Sequence, residues 1–434
     1  MIQCEHKRGE LFMVEQEYNV NGIKLCSMLN DNLNSFCLSL YIRGGSLFEK
    51  SSNNGISHLF EHIVFRNLKC KHDNFYEQLS LHGIDFYGCT YKELIRFTFN
   101  GPSKEFNFAS QILCDIFDCI NLSKNEFDNE KRRIKAEIRE KDERASLDYL
   151  FNKIVWKESE AEKTVLGYCK VLDSVSIKRL NEFRNDCFFQ ENCLIYVTGN
   201  VNEKDIDILK ERVNNVEIQE SKSMRNNTVS VNSDFFHRSC AVNVKDGYWH
   251  YIKMGFDINT SKYSNGVLDL LYSILFKGDK ALIHNYLSEE NPLIYSYDST
   301  LEQYDNIGNI NFKIEIDKNK IDEAITVIVK LLNDVKRGCF NFDANLKAEI
   351  YAVEAEIDRP DDLNWSMAYY NHILETQPID YSDELYGRFR ITKEQVINAA
   401  KEIFQVNNMT VAIKGNKKKI NIKNIEDILR TLEK

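Results

Sequence analysis

The feature that most constrains this chain is an internal repeat with a long period. Residues 192–200 (Asn-Cys-Leu-Ile-Tyr-Val-Thr-Gly-Asn) read as a polar turn, a β-strand and a Gly-Asn turn. Residues 408–416 (Asn-Met-Thr-Val-Ala-Ile-Lys-Gly-Asn) read the same way, and Gly199 recurs as Gly415, 216 residues later (415 − 199). Just upstream, residues 176–188 carry an N-cap residue, Ser176, and helical apolar spacing. Residues 392–404 repeat that pattern at the same offset, with Leu180 matched by Val396 and Phe188 by Phe404. Asn54-Gly55-Ile56 opens a segment that ends at Phe65, and Asn265-Gly266-Val267 opens a similar one that ends at Phe276, 211 residues on (265 − 54). Ala136-Glu137-Ile138 echoes Ala355-Glu356-Ile357, 219 residues on (356 − 137). Loop insertions in one copy produce this drift, and four segments in the same order point to a duplication. A period this long specifies two domains rather than a solenoid.

Within each half, strand and helix signals mix. Residues 36–42 form an apolar, β-prone run before Gly44-Gly45, and residues 95–99 are a second strand candidate. Residues 104–120 and 124–143 have the spacing of long amphipathic helices. The pattern predicts an α+β fold of two homologous domains, each a mostly antiparallel sheet with helices packed on one face. The expected division is residues 1–216, a linker at 217–233 rich in Ser and Asn (Ser221, Ser223, Asn226, Asn227, Asn232), and residues 234–434.

Charge and apolar content narrow the function classes. A formal net charge of −10 argues against a nucleic-acid partner, because phosphate binding needs a basic surface. The short basic runs at 131–133 and 417–419 read as a solvated helix face and a surface turn. Residues 1–6 have no apolar signal core, and no run is apolar enough to span a bilayer, so the expected location is cytoplasmic. The 12 cysteines are scattered without a CxxC pair, which reads as reduced and mostly buried small hydrophobes.

The strongest chemical signal is His58-Leu59-Phe60-Glu61-His62. On a helix His58 and His62 project from one face, and two imidazoles at that spacing can chelate one zinc ion. Glu61 lies near the same face, where a carboxylate can take a proton from a water molecule that the metal acidifies. The order H-x-x-E-H is the inverted form of a known zinc motif. A catalytic zinc needs a third protein ligand and one open position. Glu137 is the best candidate, with Glu140 one turn further on as the runner-up. Glu130 and Glu137 are seven residues apart and share a helix face, so Glu130 could orient a neighbouring histidine. The plainer alternative is two polar histidines on a partly buried helix and a solvated Lys/Arg/Glu-rich face.

Residues 54–65 (Asn-Gly-Ile-Ser-His-Leu-Phe-Glu-His-Ile-Val-Phe), the preceding Gly44-Gly45-Ser46-Leu47-Phe48-Glu49 and the Glu-x6-Glu pattern of Glu130 to Glu137 resemble the M16 (pitrilysin or insulinase) family of zinc metallopeptidases. The repeat and the length are similar to its smaller branch, which includes mitochondrial processing peptidase and bacterial relatives. The resemblance implies His58, His62 and Glu137 as zinc ligands, Glu61 as general base and Glu130 as the carboxylate behind a ligand. It implies a clamshell closed by a second subunit around a peptide substrate.

The second half and two departures from the family pattern bear on function. His58, Glu61 and His62 fall on Asp269, Tyr272 and Ser273 in the second half, which cannot rebuild a zinc triad. Where the family has an Arg-x6-Tyr pair for substrate and oxyanion, this chain has Ser288 and Tyr295. A homodimer would lack that arginine at both sites, so the expectation is a heterodimer whose partner supplies it. In the strand beside the metal, the family's Asn-Ala is replaced by Tyr87-Gly88, followed by Cys89, leaving main-chain pairing as the expected substrate contact. The expected function is a zinc endopeptidase acting on short or unfolded peptides, for which a bacterial precursor peptide is a fitting substrate. The alternatives are a catalytically silent scaffold subunit and a peptide-binding module that holds structural zinc.

Overall fold

Residues 36–42 are apolar almost without interruption because the strand they form is buried on both faces. That strand, β3 (Ser35–Arg43), is central in a sheet that also holds β1 (Gln16–Val20), β2 (Ile23–Leu29), β4 (Asp85–Thr90), β5 (Leu94–Pro102) and β6 (Cys193–Gly199). The order is β1-β2-β6-β3-β5-β4. A second sheet contains β7 (Val242–Asp246), β8 (Tyr251–Ile258), β9 (Tyr297–Gln303), β10 (Gly308–Glu315) and β11 (Met409–Gly415), in the order β7-β11-β8-β10-β9. Apart from β1 the two orders correspond strand for strand. Each sheet has one parallel pair, β2 with β6 and β7 with β11, and is otherwise antiparallel. The fold is α+β, as expected. The computed structural model describes residues 14–220, 229–374 and 387–433. Residues 1–6 and the linker positions Ser221, Ser223, Asn226 and Asn227 lie outside the described residues.

The repeat has a physical basis in two buried asparagines. Asn192 donates from Nδ2 to the carbonyls of Cys187 (2.8 Å) and Arg43 (2.7 Å). Asn408 donates in the same way to Ile403 (2.8 Å) and Asp257 (2.8 Å). Each amide ties the end of a helix, Ile177–Cys187 or Lys393–Ile403, to the neighbouring strand and so satisfies carbonyls that the helix leaves open. Those helices begin on the expected caps: Ser176 accepts from Arg179 N and Thr392 from Gln395 N, both at 3.2 Å.

Each half's own helices cover one face of its sheet. Leu38, Leu40, Phe97, Phe99, Ile195 and Val197 pack there against Leu59, Phe60, Ile63, Leu180 and Leu209. The opposite face is covered by a helix from the other half. Helix Pro360–Ala368 and the turn after it lay Leu363, Met367 and Ile373 over Cys26, Tyr41, Leu194 and Tyr196 of the first sheet. The end of helix Lys124–Val155 lays Leu147, Phe151 and Val155 against Tyr304, Ile307 and Ala412 of the second half.

This exchange explains why the long helix runs past Glu143, where its spacing predicts an end, to Val155. The other long helix is shorter than expected, Phe106–Asp115 rather than 104–120. Arg184 takes the carbonyls of Phe117 and Asp118 and draws the chain out of helical geometry there. Among the described cysteines only Cys26, Cys37, Cys187 and Cys193 are buried, fewer than expected, because several others sit on outward helix faces or connecting turns. No helix among the described residues is long and apolar enough to cross a membrane.

Candidate metal centre

The helix that carries the histidines, Ile56–Lys71, starts where it does because of two local devices. Gly55 stands at the cap with φ +96°, and a Cβ there would come within 2.8 Å of the Gly167 Cα. The buried Glu49 carboxylate then accepts hydrogen bonds from Gly55 N (2.7 Å), Asn54 Nδ2 (2.7 Å) and Ser57 N (2.8 Å). An anion at a helix N-terminus satisfies open N–H groups and complements the helix dipole. His58, Glu61 and His62 follow on one face, and His58 and Glu61 are buried. Their partners come from the long helix, whose start is set by a capping box between Ser123 and Glu126.

The two helices bring three ligand atoms together. His58 Nε2 lies 3.7 Å and His62 Nε2 3.8 Å from the same oxygen, Glu137 Oε2. All three residues offer an atom within 4.8 Å of the others. These separations are long for hydrogen bonds, but a tetrahedron with zinc–ligand bonds of 2.0–2.2 Å has edges of about 3.4 Å. The two nitrogen–oxygen separations therefore come within a few tenths of an ångström of the edges of a zinc tetrahedron. Glu140 is exposed and stands outside the group. Glu130, buried, faces the other nitrogen of His62 at 3.8 Å (Oε2 to Nδ1) and is paired with Arg133 at 3.3 Å. At Glu130 burial pushes the carboxyl upward, but the His62 contact and the charges of Arg133 and Arg66 outweigh it and hold it below the ordinary carboxylate range.

Glu61 is held by the strand beside it. Thr90 donates its hydroxyl to Glu61 Oε2 at 2.6 Å. A Cβ on Gly88 would stand 2.9 Å from Glu61 Cγ and 2.8 Å from Phe65 Cε2, so this glycine makes room for the chain's own carboxylate. Burial pushes the Glu61 carboxyl above its usual value, against the pull of Thr90 and His62, and Glu137 adds to the upward push. Thr90 is the contact that the sequence did not single out; its only signal there is its place two residues after Gly88.

The other predicted site residues are placed differently. Side chains alternate along β4, so Tyr87 points away from Glu61 and donates its hydroxyl to Asp361 of the opposite half. Cys89 lies on that same side, half-buried. β4 is the outer strand of its sheet, and its far edge is not paired by another described strand. Tyr295 is 97% exposed and lines a cleft of about 730 Å³ with Tyr248 and Trp249; none of the metal-site residues lines it. Ser288 lies in the turn Asn285–Glu289.

A family model described as "Insulinase (Peptidase family M16)" matches residues 28–167, which include both helices of this centre. A second, "Peptidase M16 inactive domain", matches residues 174–343. The chain belongs to peptidase family M16. This M16 chain is 20% identical over 338 residues to YmxG of Bacillus subtilis, named an uncharacterized zinc protease, over 75% of this chain and 79% of that protein. It is 26% identical over 167 residues to the β-subunit of mitochondrial-processing peptidase of Rattus norvegicus, over 38% of this chain and 34% of that protein. In fold it is similar to a protease from Helicobacter pylori, with a TM-score of 0.81 at 17% identity over 93% of this chain and 100% of that one.

The second half of the M16 chain keeps the frame of the metal centre and replaces its chemistry. Asp269, at the position of His58, faces Arg388 at 3.4 Å. Glu349 follows Glu130 by 219 residues (349 − 130) and accepts from Ser273, at the position of His62, at 2.6 Å. Arg388 also reaches Glu349 at 3.5 Å, so a buried guanidinium stands between two acids here. Tyr272, at the position of Glu61, shares a hydrogen bond with Ser299 at 2.8 Å. Nothing in the local pattern around Arg388 announces this role.

Proposed function

We propose that this M16 chain is the catalytic half of a zinc metalloendopeptidase that cuts short or unfolded peptides enclosed between it and a second M16-like subunit. The observation that carries the reading is the convergence of His58, His62 and Glu137 with the buried Glu61 carboxylate next to them. Zinc is the cofactor in this reading, supported by the donor set and by the zinc proteases to which the chain is similar. Bound zinc supplies Lewis acidity to the scissile carbonyl and to a water molecule. Glu61 accepts the proton of the attacking water and returns it to the leaving amine. Thr90 and Gly88 keep that carboxylate in place, and Glu130 orients His62 through Nδ1.

The substrate strand pairs with the edge of β4, so Tyr87, Gly88 and Cys89 bind it through backbone groups rather than side chains. The Tyr87 hydroxyl already has its partner in Asp361, which supports the main-chain mode. Tyr295, exposed on the second half, is available to an opposing subunit. With Ser288 where an arginine is needed, the partner subunit supplies the Arg–Tyr pair at this chain's zinc. The scattered cysteines, without a CxxC pair, support a reducing, cytoplasmic setting for the pair.

Metal content tests the ligand set. Glu137→Gln is expected to lose zinc and activity together, whereas Glu140→Gln should keep both; zinc analysis of the purified chains, with a peptide-cleavage assay, reads the difference. Equal zinc in the two variants would remove Glu137 from the site. The subunit assignment fails if the isolated chain cleaves peptides at full rate as a homodimer. Gly88→Ala should leave zinc in place but lower kcat by roughly 10–100-fold, because displacement of a catalytic group by about 1 Å has an effect of that order. An unchanged kcat would mean that the seat of Glu61 does not matter to the reaction.

A further inference from the structure

A second set of ligand atoms lies on the outer face of the first sheet and shares no residue with the His58 centre. Glu15 precedes β1, Cys26 is on β2, and His372 comes from the opposite half, in the turn Tyr369–Ile373 after helix Pro360–Ala368. His372 Nε2 lies 3.6 Å from Cys26 Sγ and 3.0 Å from Glu15 Oε1. One atom of each residue falls within 4.8 Å of the other two. From these contacts we infer a second metal site, in which Glu15, Cys26 and His372 hold a zinc-class, borderline-soft divalent cation.

Three observations support it. First, the thiol and the carboxylate face the same imidazole nitrogen. In a nucleophilic Cys-His-acid relay the acid takes the other ring nitrogen, so this geometry is that of chelation rather than relay. The Cys26 side chain is also fully buried, beyond the reach of a substrate carbonyl. Second, the sulfur–nitrogen spacing suits a metal: bonds of about 2.3 Å to sulfur and about 2.1 Å to nitrogen place S and N about 3.6 Å apart in a tetrahedron, while the 3.0 Å between Glu15 and His372 has to open by about 0.4 Å. Third, the ligands are held by neighbours. Tyr196, directly opposite Cys26 in the β2–β6 ladder, donates to Glu15 Oε1 at 2.5 Å. Arg43 donates to the carbonyl of Ile373 at 2.9 Å and also to that of His372. The turn itself is a π-type insertion, a geometry found often where a helix re-aims a side chain at a functional site.

The site joins residues 357 positions apart and pins the covering segment of the second half to the first sheet. Its role is structural: the Glu15 side chain is the most open of the three, and a water molecule can complete the fourth position there.

Cobalt substitution separates the two centres, because a thiolate-to-cobalt charge-transfer band in the near ultraviolet needs a sulfur ligand and the His58 centre has none. The full-length chain is expected to bind about two zinc ions and to show the band once loaded with cobalt. Cys26→Ser should lower the content to about one and abolish the band, while His62→Ala should keep the band. His372→Asn, which leaves the buried strand untouched, should also lose the band and guards against misfolding of the cysteine variant. A wild-type chain with one zinc and no charge-transfer band overturns the inference, as does a band that persists in Cys26→Ser.

Discussion

Glu61→Gln is expected to lower kcat for peptide hydrolysis by about 10²–10⁴-fold while the chain stays folded and keeps its zinc. Glutamine has nearly the same shape, and its amide oxygen can still accept the Thr90 hydroxyl that now binds Glu61 Oε2 at 2.6 Å. The seat made by Gly88 and Phe65 is equally preserved. What disappears is basicity at the one carboxylate that lies beside the ligand group without belonging to it. Zinc content should therefore match the wild type, which sets this variant apart from Glu137→Gln. The measurement pairs zinc analysis with kcat on a fluorogenic peptide, wild type and variant assayed side by side. Cleavage at the wild-type rate by Glu61→Gln would end the proposed mechanism.

The largest expected effect on stability is at Arg238. Its guanidinium holds Asp257 in a two-pronged contact (Nε to Oδ2 2.7 Å, Nη2 to Oδ1 3.1 Å), and both side chains are buried. It also donates to the carbonyls of Ile154 (3.1 Å) and Val155 (2.9 Å) at the end of the long helix. One residue thus satisfies a helix terminus from the first half and a buried acid in the second. Arg238→Ala would leave Asp257 buried without its cation and the helix carbonyls open, at a cost of about 3–5 kcal/mol. Thermal or urea unfolding should show a clear loss. Arg179→Ala is the control: its pair with Glu182 (3.0 Å) joins side chains that are both well exposed, and such pairs contribute about 0–1 kcal/mol. Similar losses in the two variants would contradict this account of Arg238.

The candidate metal centre was largely legible in the chain because its signals are local. His58, Glu61 and His62 share a face by helical spacing alone, and Glu130 and Glu137 do so by the same arithmetic. Which carboxylate meets the histidines is a matter of how two helices cross, and only the structure brings Glu137 inward and leaves Glu140 exposed. Gly88 belongs to the strand expected to pair with substrate through its main chain. Its missing side chain also makes room for Glu61 and Phe65, a contact between a strand and a helix that no sequence window contains. Tyr87 enters the expected substrate contact only through its main chain; where its hydroxyl goes, to Asp361 274 residues away, no local pattern indicates.

The duplication, the mixed α+β class, the helix caps at Ser176 and Thr392 and the shared face of His58, Glu61 and His62 were legible in the chain alone. All of these depend on periodicity or on contacts within a few residues. The exchange of covering helices, the Arg388 that stands between two acids in the second half, and the meeting of Glu15, Cys26 and His372 emerge from the folded chain alone. These join segments far apart in the chain, and what selects them is the burial of the outer sheet faces. Apolar spacing shows that a face must be covered and carries no information on which distant segment covers it.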